Sequence, residues 1–208
     1  MFGDRLGGAV RFAELLADDG VTRGLIGPRE VPRLWERHLL NCAVVADAFP
    51  DGATVCDVGS GAGLPGVVLA VLRPDLRITL LEPLQRRTTF LQEVVDVLGL
   101  EQVRVSRGRA EEQPQSAFDV VTARAVAPLG RLARWCLPLC RPGGTMLALK
   151  GARAAVELSE QEAELRRLRA RSWRVQEYAA GGVSAVAIEV VAGEAVTRST
   201  PPRRRSSR

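Results

Sequence analysis

The chain has few of the features that mark membrane, secreted or metal-binding proteins. Its four cysteines lie within apolar segments and show no C-x-x-C spacing, so we interpret them as buried thiols rather than as metal ligands or disulfide partners. No apolar run approaches the roughly 18 residues that a membrane span requires, and charged residues near the N-terminus argue against a signal peptide. We therefore expect a cytoplasmic protein that binds no metal and no membrane.

Aromatic residues and lysine are also scarce. Aromatic residues make up 4% and hydrophobic residues 46% of the 208 residues, which is enough apolar material for one sizeable core. Lys150 is the one lysine, so the basic charge comes almost wholly from arginine. The net charge of +5 favours a polyanionic partner, but only weakly, because arginine abundance also follows from genomic base composition.

The pattern along the chain predicts one domain over residues 1–192. Residues 1–50 contain two predicted helices, at about 5–17 and 32–48, and residues 51–192 form a core in which strands and helices alternate. Such alternation is typical of an α/β protein with a parallel, doubly wound sheet. Two glycines, Gly181 and Gly182, predict a closing hairpin. The Arg-rich residues 193–208 show no apolar pattern, and we expect a disordered tail there.

The first stretch with a chemical signature is VCDVGSGAGLPG at residues 55–66, which leads from an apolar strand into a helix-compatible segment. Glycine adopts positive φ freely, so Gly59, Gly61 and Gly63 allow a ligand to approach the main chain closely. A strand, a glycine loop and a helix in this order bring a nucleotide-like ligand to a helix N-terminus.

Two ligand classes fit this loop. Residues 61–66 satisfy the dinucleotide pattern G-x-G-x-x-G, which alone is a weak signal. Asp57, two residues before Gly59, instead resembles motif I of S-adenosylmethionine (SAM) methyltransferases, in which the acid and the loop amides hold the amino-acid end of the cofactor. Glu82 ends the next strand, 23 residues beyond Gly59, where an acid accepts hydrogen bonds from ribose in either class. Asp57 therefore favours SAM, and NAD stays open.

Further polar residues follow the later strands. In open α/β sheets ligands lie beyond the carboxyl ends of the strands. We expect Ala110 and Glu111 to frame an adenine ring, although an acid at a helix N-terminus is an alternative reading of Glu111. Arg124 directly follows an apolar strand, and its guanidinium is expected to meet a substrate phosphate or base. Lys150 follows the fifth strand in the same way.

Five segments together resemble one known family: DVGSGAGLPG (57–66), RHLLN (37–41), RAEE (109–112), TARA (122–125) and ALKG (148–151). Over about residues 3–191 the chain resembles RsmG, also called GidB, the bacterial 16S ribosomal RNA guanine-N7 methyltransferase family. The resemblance implies a class I SAM-dependent methyltransferase (Rossmann-like) fold with a seven-stranded, mostly parallel sheet whose last strand is antiparallel. It also implies SAM as methyl donor and one guanine of the 16S 530 loop, conventionally position 527, as acceptor.

The motifs and the resemblance together give a set of candidate residues. The predicted cofactor-binding residues are Asp57, Gly59, Gly61, Gly63, Leu64, Glu82, Ala110, Glu111 and Arg124. Arg124 and Lys150 are the predicted catalytic residues. The predicted contacts to RNA, as naked 16S RNA or within the small ribosomal subunit, are Arg37, His38, Arg109 and Lys150. Arg86 and Arg87 are further candidates for RNA contact, but solvated surface is at least as good an interpretation of them. For His38 we slightly favour a hydrogen-bonded packing role facing the sheet over a substrate role.

The sparse inventory of catalytic groups fits a guanine N7 acceptor. Guanine N7 has an in-plane lone pair and no proton, so transfer to it needs alignment and exclusion of water rather than a general base. The chain has no Asn/Asp-Pro-Pro-aromatic motif of exocyclic-amine methylases and no cysteine at a predicted strand tip. An NAD-dependent oxidoreductase and a non-catalytic SAM-binding module that docks on RNA remain alternatives, and we expect a monomer.

Overall fold

The protein is described by a computed structural model, in which residues 1–124 and 126–194 are described. Over these residues the sheet has seven strands in the order β3-β2-β1-β4-β5-β7-β6. Strands β1 to β5 pair in parallel, and β7 runs antiparallel to both β5 and β6. The predicted seven-stranded, mostly parallel sheet is confirmed. The strands are β1 (Thr54–Val58), β2 (Arg77–Glu82), β3 (Val103–Arg107), β4 (Phe118–Arg124), β5 (Cys140–Lys150), β6 (Ser172–Ala180) and β7 (Val183–Val191).

Helices cover both faces of the sheet because residues of its central strands are buried on both sides. The α-helices are α1 (Leu6–Leu15), α2 (Asn41–Ala43), α3 (Gly66–Leu72), α4 (Gln85–Leu98), α5 (Leu129–Cys136) and α6 (Ala154–Arg167). On one face, side chains of α1 to α4 pack with Val55 and Ile78. On the other, α5 and α6 pack with Cys56 and Val121. Successive residues of a strand point to opposite faces, so Asp57 faces the side that carries α3.

The first helix confirms the predicted element and part of its predicted apolar face. The pattern predicts Leu6, Val10, Ala13 and Leu16 on this face; Ala13 and Leu16 are buried, whereas Leu6 and Val10 are exposed. Ala9 and Phe12 complete the buried face, and the helix continues through Leu16 in a π-helical turn, Leu16–Gly20. The buried residues also recur at helical spacing.

The second predicted helix is broken into short pieces. It consists of a 3₁₀ segment Pro28–Arg33, a π-helical segment Leu34–Leu40, α2, and a 3₁₀ turn Ala46–Ala48. Arg124 donates to the carbonyl oxygens of Arg37 and His38, which an α-helix would use for its own ladder. The apolar pattern of this segment predicts an inward face of Trp35, Leu39, Cys42 and Ala46. The last three are buried, whereas Trp35 is partly exposed and lies edge-on to the ring of Phe2.

Two pairs of glycines have different roles, one in the predicted hairpin turn and one within a strand. Gly181 and Gly182 both have positive φ, as a tight two-residue hairpin turn requires. The Pro-Gly-Gly sequence at 142–144 predicts a turn, but these residues lie within β5, where the amide of Gly143 donates to the carbonyl of Ala192. A Cβ on Gly144 would lie 2.8 Å from the Asp119 carbonyl oxygen, so this close strand pairing needs glycine.

Strand register brings the carboxyl ends of the parallel strands to one edge. Val58 pairs with Leu81, Glu82 with Arg107, and Arg124 with Leu149. The residues that follow these strands are therefore neighbours in space, although they are far apart in sequence.

Gly99, which ends α4, provides a test of the fold. Its φ of +61° is left-handed and its amide donates to Asp96 and Val95, so Gly99→Ala should lower the free energy of unfolding by about 1 kcal/mol. Gly27→Ala is the control, because Gly27 has φ −70° and open space around its Cβ position. Urea unfolding should show no loss of stability for the control, whose free energy of unfolding should rise by up to about 1 kcal/mol because alanine restricts the unfolded chain. Equal losses for both variants would contradict this assignment.

Candidate active site

The glycine loop after β1 has the conformation that its sequence predicts. Gly59, Gly61 and Gly63 have φ values of +71°, +56° and +91°. The amide of Gly59 donates to the Leu81 carbonyl at 2.8 Å, which ties the loop to β2. A Cβ on Gly59 would lie 2.9 Å from a methyl carbon of Val126. Gly59 is therefore required by backbone conformation and by close packing at once.

Two buried carboxylates hold this loop from below. Asp57 accepts a hydrogen bond from the Gly66 amide at 3.0 Å, at the start of α3. Glu82 accepts from the amides of Gly61 at 3.1 Å and Leu84 at 3.0 Å. Both side chains are about 1% exposed, so their charges depend on these amides for solvation. The loop is thereby fixed at two points.

Asp57 is a buried and incompletely satisfied acid. Burial is the main cause that raises the pKa of its carboxyl group to about 7, and the Gly66 amide opposes this rise. Its Oδ1 has no hydrogen-bond partner among the residues that the structure describes. The side chain lies beneath the loop, and Asp57 does not line the cavity described next. Asp57 can therefore act on a ligand either indirectly, by holding the loop, or directly, if the ligand reaches Oδ1.

A cavity of about 580 Å³ opens at the carboxyl ends of β1 to β4. The sequence-predicted residues that line it are His38, Gly59, Gly61, Leu64, Glu82, Arg109, Ala110, Glu111 and Arg124. The predicted residues that do not line it are Arg37, Asp57, Gly63 and Lys150. The tertiary structure therefore gathers most of the predicted site residues around one cavity of the size that small-molecule ligands occupy.

Several cavity residues carry no motif in the sequence. Trp135 on α5, Val126, Leu84 and Leu25 add apolar wall, and Arg87 adds a charge. From the sequence, Arg87 could have been solvated surface. In the structure it is half-buried, and its Nη1 lies 3.5 Å from Oε2 of Glu82. Leu84 could have been found from its place directly after the second strand. Trp135 gave no such signal, because its helix reads as an ordinary packing helix.

Arg124 joins the tip of β4 to the N-terminal segment. Its Nη1 lies 3.1 Å from the Cys42 sulfur, and its Nη2 donates to the Arg37 carbonyl at 3.2 Å. The same Nη2 lies 2.5 Å from Nδ1 of His38. Within the protein, neutral acceptors of the chain itself surround this guanidinium. Arg124 thus lines the cavity with its orientation already fixed.

His38 lies between Arg124 and Glu30. Arginine can only donate hydrogen bonds, so Nδ1 of His38 must be the unprotonated acceptor and Nε2 must carry the hydrogen. Nε2 then donates to Oε2 of Glu30 at 3.0 Å. Burial and the nearby Arg124 charge lower the pKa of His38, which favours this neutral form.

Lys150 faces protein groups rather than the cavity. Its Nζ donates to the Ala127 carbonyl at 3.0 Å and to Oε1 of Glu157 at 2.9 Å. Glu157 Oε1 also accepts from the Leu129 amide. Lys150 and Glu157 together clamp both ends of the short stretch that follows Val126, and Val126 packs on Gly59. Lys150 can therefore affect the cavity only indirectly, through the stretch that it helps to hold.

In the part of the chain that the structure describes, the cysteines and the acidic residues indicate neither a reactive thiolate nor a metal site. Burial raises the pKa of Cys42 to about 11 and that of Cys140 to about 12, and it also raises the pKa of Cys56 and Cys136. Within residues 1–124 and 126–194, His, Cys, Asp and Glu side chains form no cluster of three or more that could hold a metal ion. In the same part of the chain, no helix combines the length and apolar character needed to cross a membrane.

The residues around the cavity fit an adenosyl ligand with a charged amino-acid end. Glu82 keeps unused lone pairs at the cavity floor, since each carboxylate oxygen can accept more than one hydrogen bond. The positive-φ glycine loop offers a cradle without side chains, and the orphan Oδ1 of Asp57 lies below it. Leu84, Ala110 and Trp135 supply apolar surface for a planar ring.

Comparison with known proteins agrees with this geometry. The family described as rRNA small subunit methyltransferase G (GidB) matches residues 6–183. The chain is 61% identical over 198 residues to the ribosomal RNA small subunit methyltransferase G of Streptomyces coelicolor, covering 93% of this chain and 83% of the relative. It is 66% identical over 170 residues to the protein of that name from Thermobifida fusca, covering 81% of this chain and 72% of the relative.

The fold is also similar to solved structures of proteins with much lower sequence identity. A SAM-dependent O-methyltransferase from Thermotoga maritima superimposes with a TM-score of 0.57 at 15% identity. The match covers 82% of this chain and 72% of that one. At such low identity the likeness shows a shared class I methyltransferase fold and nothing more specific.

The raised pKa of Asp57 predicts a pH effect on stability. The folded pKa of about 7 exceeds the ordinary value of 3.8, so this carboxyl contributes stability below pH 3.8 that is lost as pH rises through 7. Between pH 5 and pH 8 the loss should be about 2.5 kcal/mol. Asp57→Asn keeps an acceptor for Gly66 but does not titrate, so its free energy of unfolding should lack this decline. Parallel curves for the two proteins would contradict the assignment.

The Lys150–Glu157 clamp predicts strong coupling. Their side chains are 13% and 25% exposed, so Lys150→Met and Glu157→Gln should each cost about 1–3 kcal/mol of unfolding free energy. A double-mutant cycle should give a coupling energy above about 1 kcal/mol. The matched control is the exposed pair Arg166–Glu162, whose coupling should stay below about 0.5 kcal/mol. Equal coupling in the two pairs would refute the clamp.

Proposed function

Because this chain belongs to the rRNA small subunit methyltransferase G family, we propose that it transfers a methyl group from SAM to N7 of one guanine in 16S ribosomal RNA. The guanine is the one at conventional position 527 in the 530 loop. The observation that carries this proposal is the convergence of the glycine loop, Glu82, Ala110–Glu111 and Arg124 around a single cavity. Residues 1–192 act as one domain, and the protein works as a monomer in the cytoplasm.

The cofactor would lie along the carboxyl ends of β1, β2 and β3. In this arrangement Gly59, Gly61 and Leu64 line the cavity along the loop, while Glu82 is placed to accept from ribose hydroxyls. Ala110 and Glu111, on a 3₁₀ turn after β3, border the place for the adenine ring. Asp57 and Gly63 act from beneath, by holding the loop in shape. When bound, SAM supplies an electrophilic methyl group on a sulfonium centre.

The protein's own contribution is alignment and exclusion of water. Guanine N7 attacks with a lone pair and carries no proton, so no side chain of the chain has to remove one. Positioning of reacting groups alone supplies up to about 7–11 kcal/mol in favourable intramolecular systems. Arg124 and the apolar residues Val126 and Trp135 border the cavity and would confine the base there.

RNA would approach from the rim of the cavity. Arg109 lines the cavity and is exposed, and Arg37 is exposed on the adjoining N-terminal segment. Both are suited to phosphate contacts, which position RNA without reading its sequence. His38 and Lys150 are largely enclosed by protein partners, so we assign them supporting roles near the substrate rather than phosphate contacts.

The proposal is tested by methyl transfer to small subunits and to naked 16S RNA from a strain that lacks the corresponding activity. We expect label from SAM at one guanine of the 530 loop, recognised as N7-methylguanine by its sensitivity to borohydride and aniline. Gly59→Ala should abolish binding of S-adenosylhomocysteine, because the new Cβ would meet Val126. Arg124→Ala should lower methyl transfer at least tenfold, and Arg11→Ala, an exposed change on α1, should not.

Two results would refute the proposal. Binding of S-adenosylhomocysteine without transfer to any small-subunit RNA would identify a non-catalytic module that docks on RNA. Quenching of tryptophan fluorescence by NADH, without any response to S-adenosylhomocysteine, would favour the oxidoreductase alternative. Trp135 at the cavity wall provides the fluorescence signal in both cases.

A further inference from the structure

We propose that Glu30 and His38 are positioning residues that fix the orientation of Arg124 at the cavity, an inference that rests on the proposed methyl transfer. Glu30 accepts the hydrogen on Nε2 of His38, and the opposite ring nitrogen accepts from Arg124. This series of contacts runs from an exposed turn to the cavity wall. Neither Glu30 nor the tautomer of His38 is marked by any motif in the sequence.

Because Arg124 can only donate hydrogen bonds, only the His38 tautomer without a hydrogen on Nδ1 can hold it. A hydrogen on Nδ1 would point at the N–H group of Arg124, and neither group could then accept from the other. Neutral histidine exists in two tautomers, and the hydrogen bond made by one ring nitrogen selects the state of the other. Glu30 therefore selects the tautomer that can hold Arg124.

Glu30 is also the group that links this series to the RNA-facing surface. Its carboxylate lies 3.3 and 3.4 Å from Nη1 of Arg37, an exposed side chain. The carbonyl of Arg37 in turn accepts from Arg124. Removing the Glu30 carboxylate should therefore release Arg37 for phosphate and misalign Arg124 at the same time. Binding of RNA and the rate of the chemical step should respond in different directions.

Protonation of His38 at acidic pH should break its hydrogen bond with Arg124. The charged groups that face His38 are Glu30 from the 28–33 segment, Arg37 from its own segment and Arg124 from β4. Asp57, on β1, interacts electrostatically with Arg124 and titrates near pH 7. A protonated His38 could no longer accept from Arg124, so turnover should fall as pH drops through the lowered pKa of His38.

The kinetic test compares Glu30→Ala, Glu30→Gln and a control, Glu36→Ala, which removes an exposed carboxylate from the adjacent 34–40 segment. Glu30→Ala should lower kcat about tenfold, the equivalent of one hydrogen bond to a charged group, without raising the KM for RNA. The glutamine oxygen can still accept the hydrogen on Nε2, so Glu30→Gln should recover most of the loss. Equal kcat values for Glu30→Ala and Glu36→Ala would overturn the proposal.

The pH profile separates His38 from Asp57. In His38→Asn the amide oxygen can accept from Arg124 but does not titrate. Whatever its rate at neutral pH, this variant should lose the acidic limb of the kcat profile that the unchanged protein shows. An acidic limb that persists in His38→Asn belongs to Asp57 and would count against the role of His38.

A spectroscopic test is independent of activity. His38 is the one histidine in the chain, so its ring nitrogens give unambiguous NMR signals in protein labelled with ¹⁵N-histidine. We expect the Nε2–H tautomer in the unchanged protein and a mixture of tautomers in Glu30→Ala. Finding Nδ1–H in the unchanged protein would overturn the inference even if methyl transfer is observed. Absence of methyl transfer with the expected tautomer would refute the proposed function and leave the contacts themselves established.

Discussion

The site depends on two buried carboxylates that hold one loop. Asp57 and Glu82 come from adjacent strands, are almost fully enclosed, and accept hydrogen bonds from amides at opposite ends of the glycine loop. A buried charge without such partners would cost several kcal/mol, so a change in the loop that removed these amides would be unfavourable. The resulting backbone, with three glycines at positive φ, is held by these hydrogen bonds before any ligand binds. The two acids thus act on the cavity largely by shaping the chain around it.

The N-terminal segment completes the site rather than merely covering the sheet. Arg124 is tied to the backbone of this segment, since it donates to the carbonyls of Arg37 and His38. The irregular segment and the orientation of the guanidinium are therefore linked by these contacts. Because the same segment carries exposed arginines, the surface suited to RNA and the wall of the cavity belong to one connected unit.

Two predicted site residues have protein partners that the local sequence pattern does not indicate. Lys150 follows a strand in the manner of a site residue, but Glu157, seven positions later on α6, neutralises it. Arg124 reads as a group that needs an anion, and its partners are carbonyl oxygens and a ring nitrogen some 82 to 87 positions away. A strand-tip position can be inferred from local pattern, whereas the partner of a charged group is set by which distant segments pack together.

The amino-acid sequence was sufficient to predict the alternation of strands and helices, the positive-φ glycine loop and most of the residues that gather at the strand tips. These follow from local causes: alternation of apolar residues, the conformational freedom of glycine, and the rule that parallel strands end at one edge. The tertiary structure alone decided that Asp57 lies beneath the loop, that Lys150 faces Glu157, and that Glu30, His38 and Arg124 join in series. Those arrangements depend on contacts between segments distant in the chain, and side-chain burial and hydrogen bonding exist only once these segments have packed.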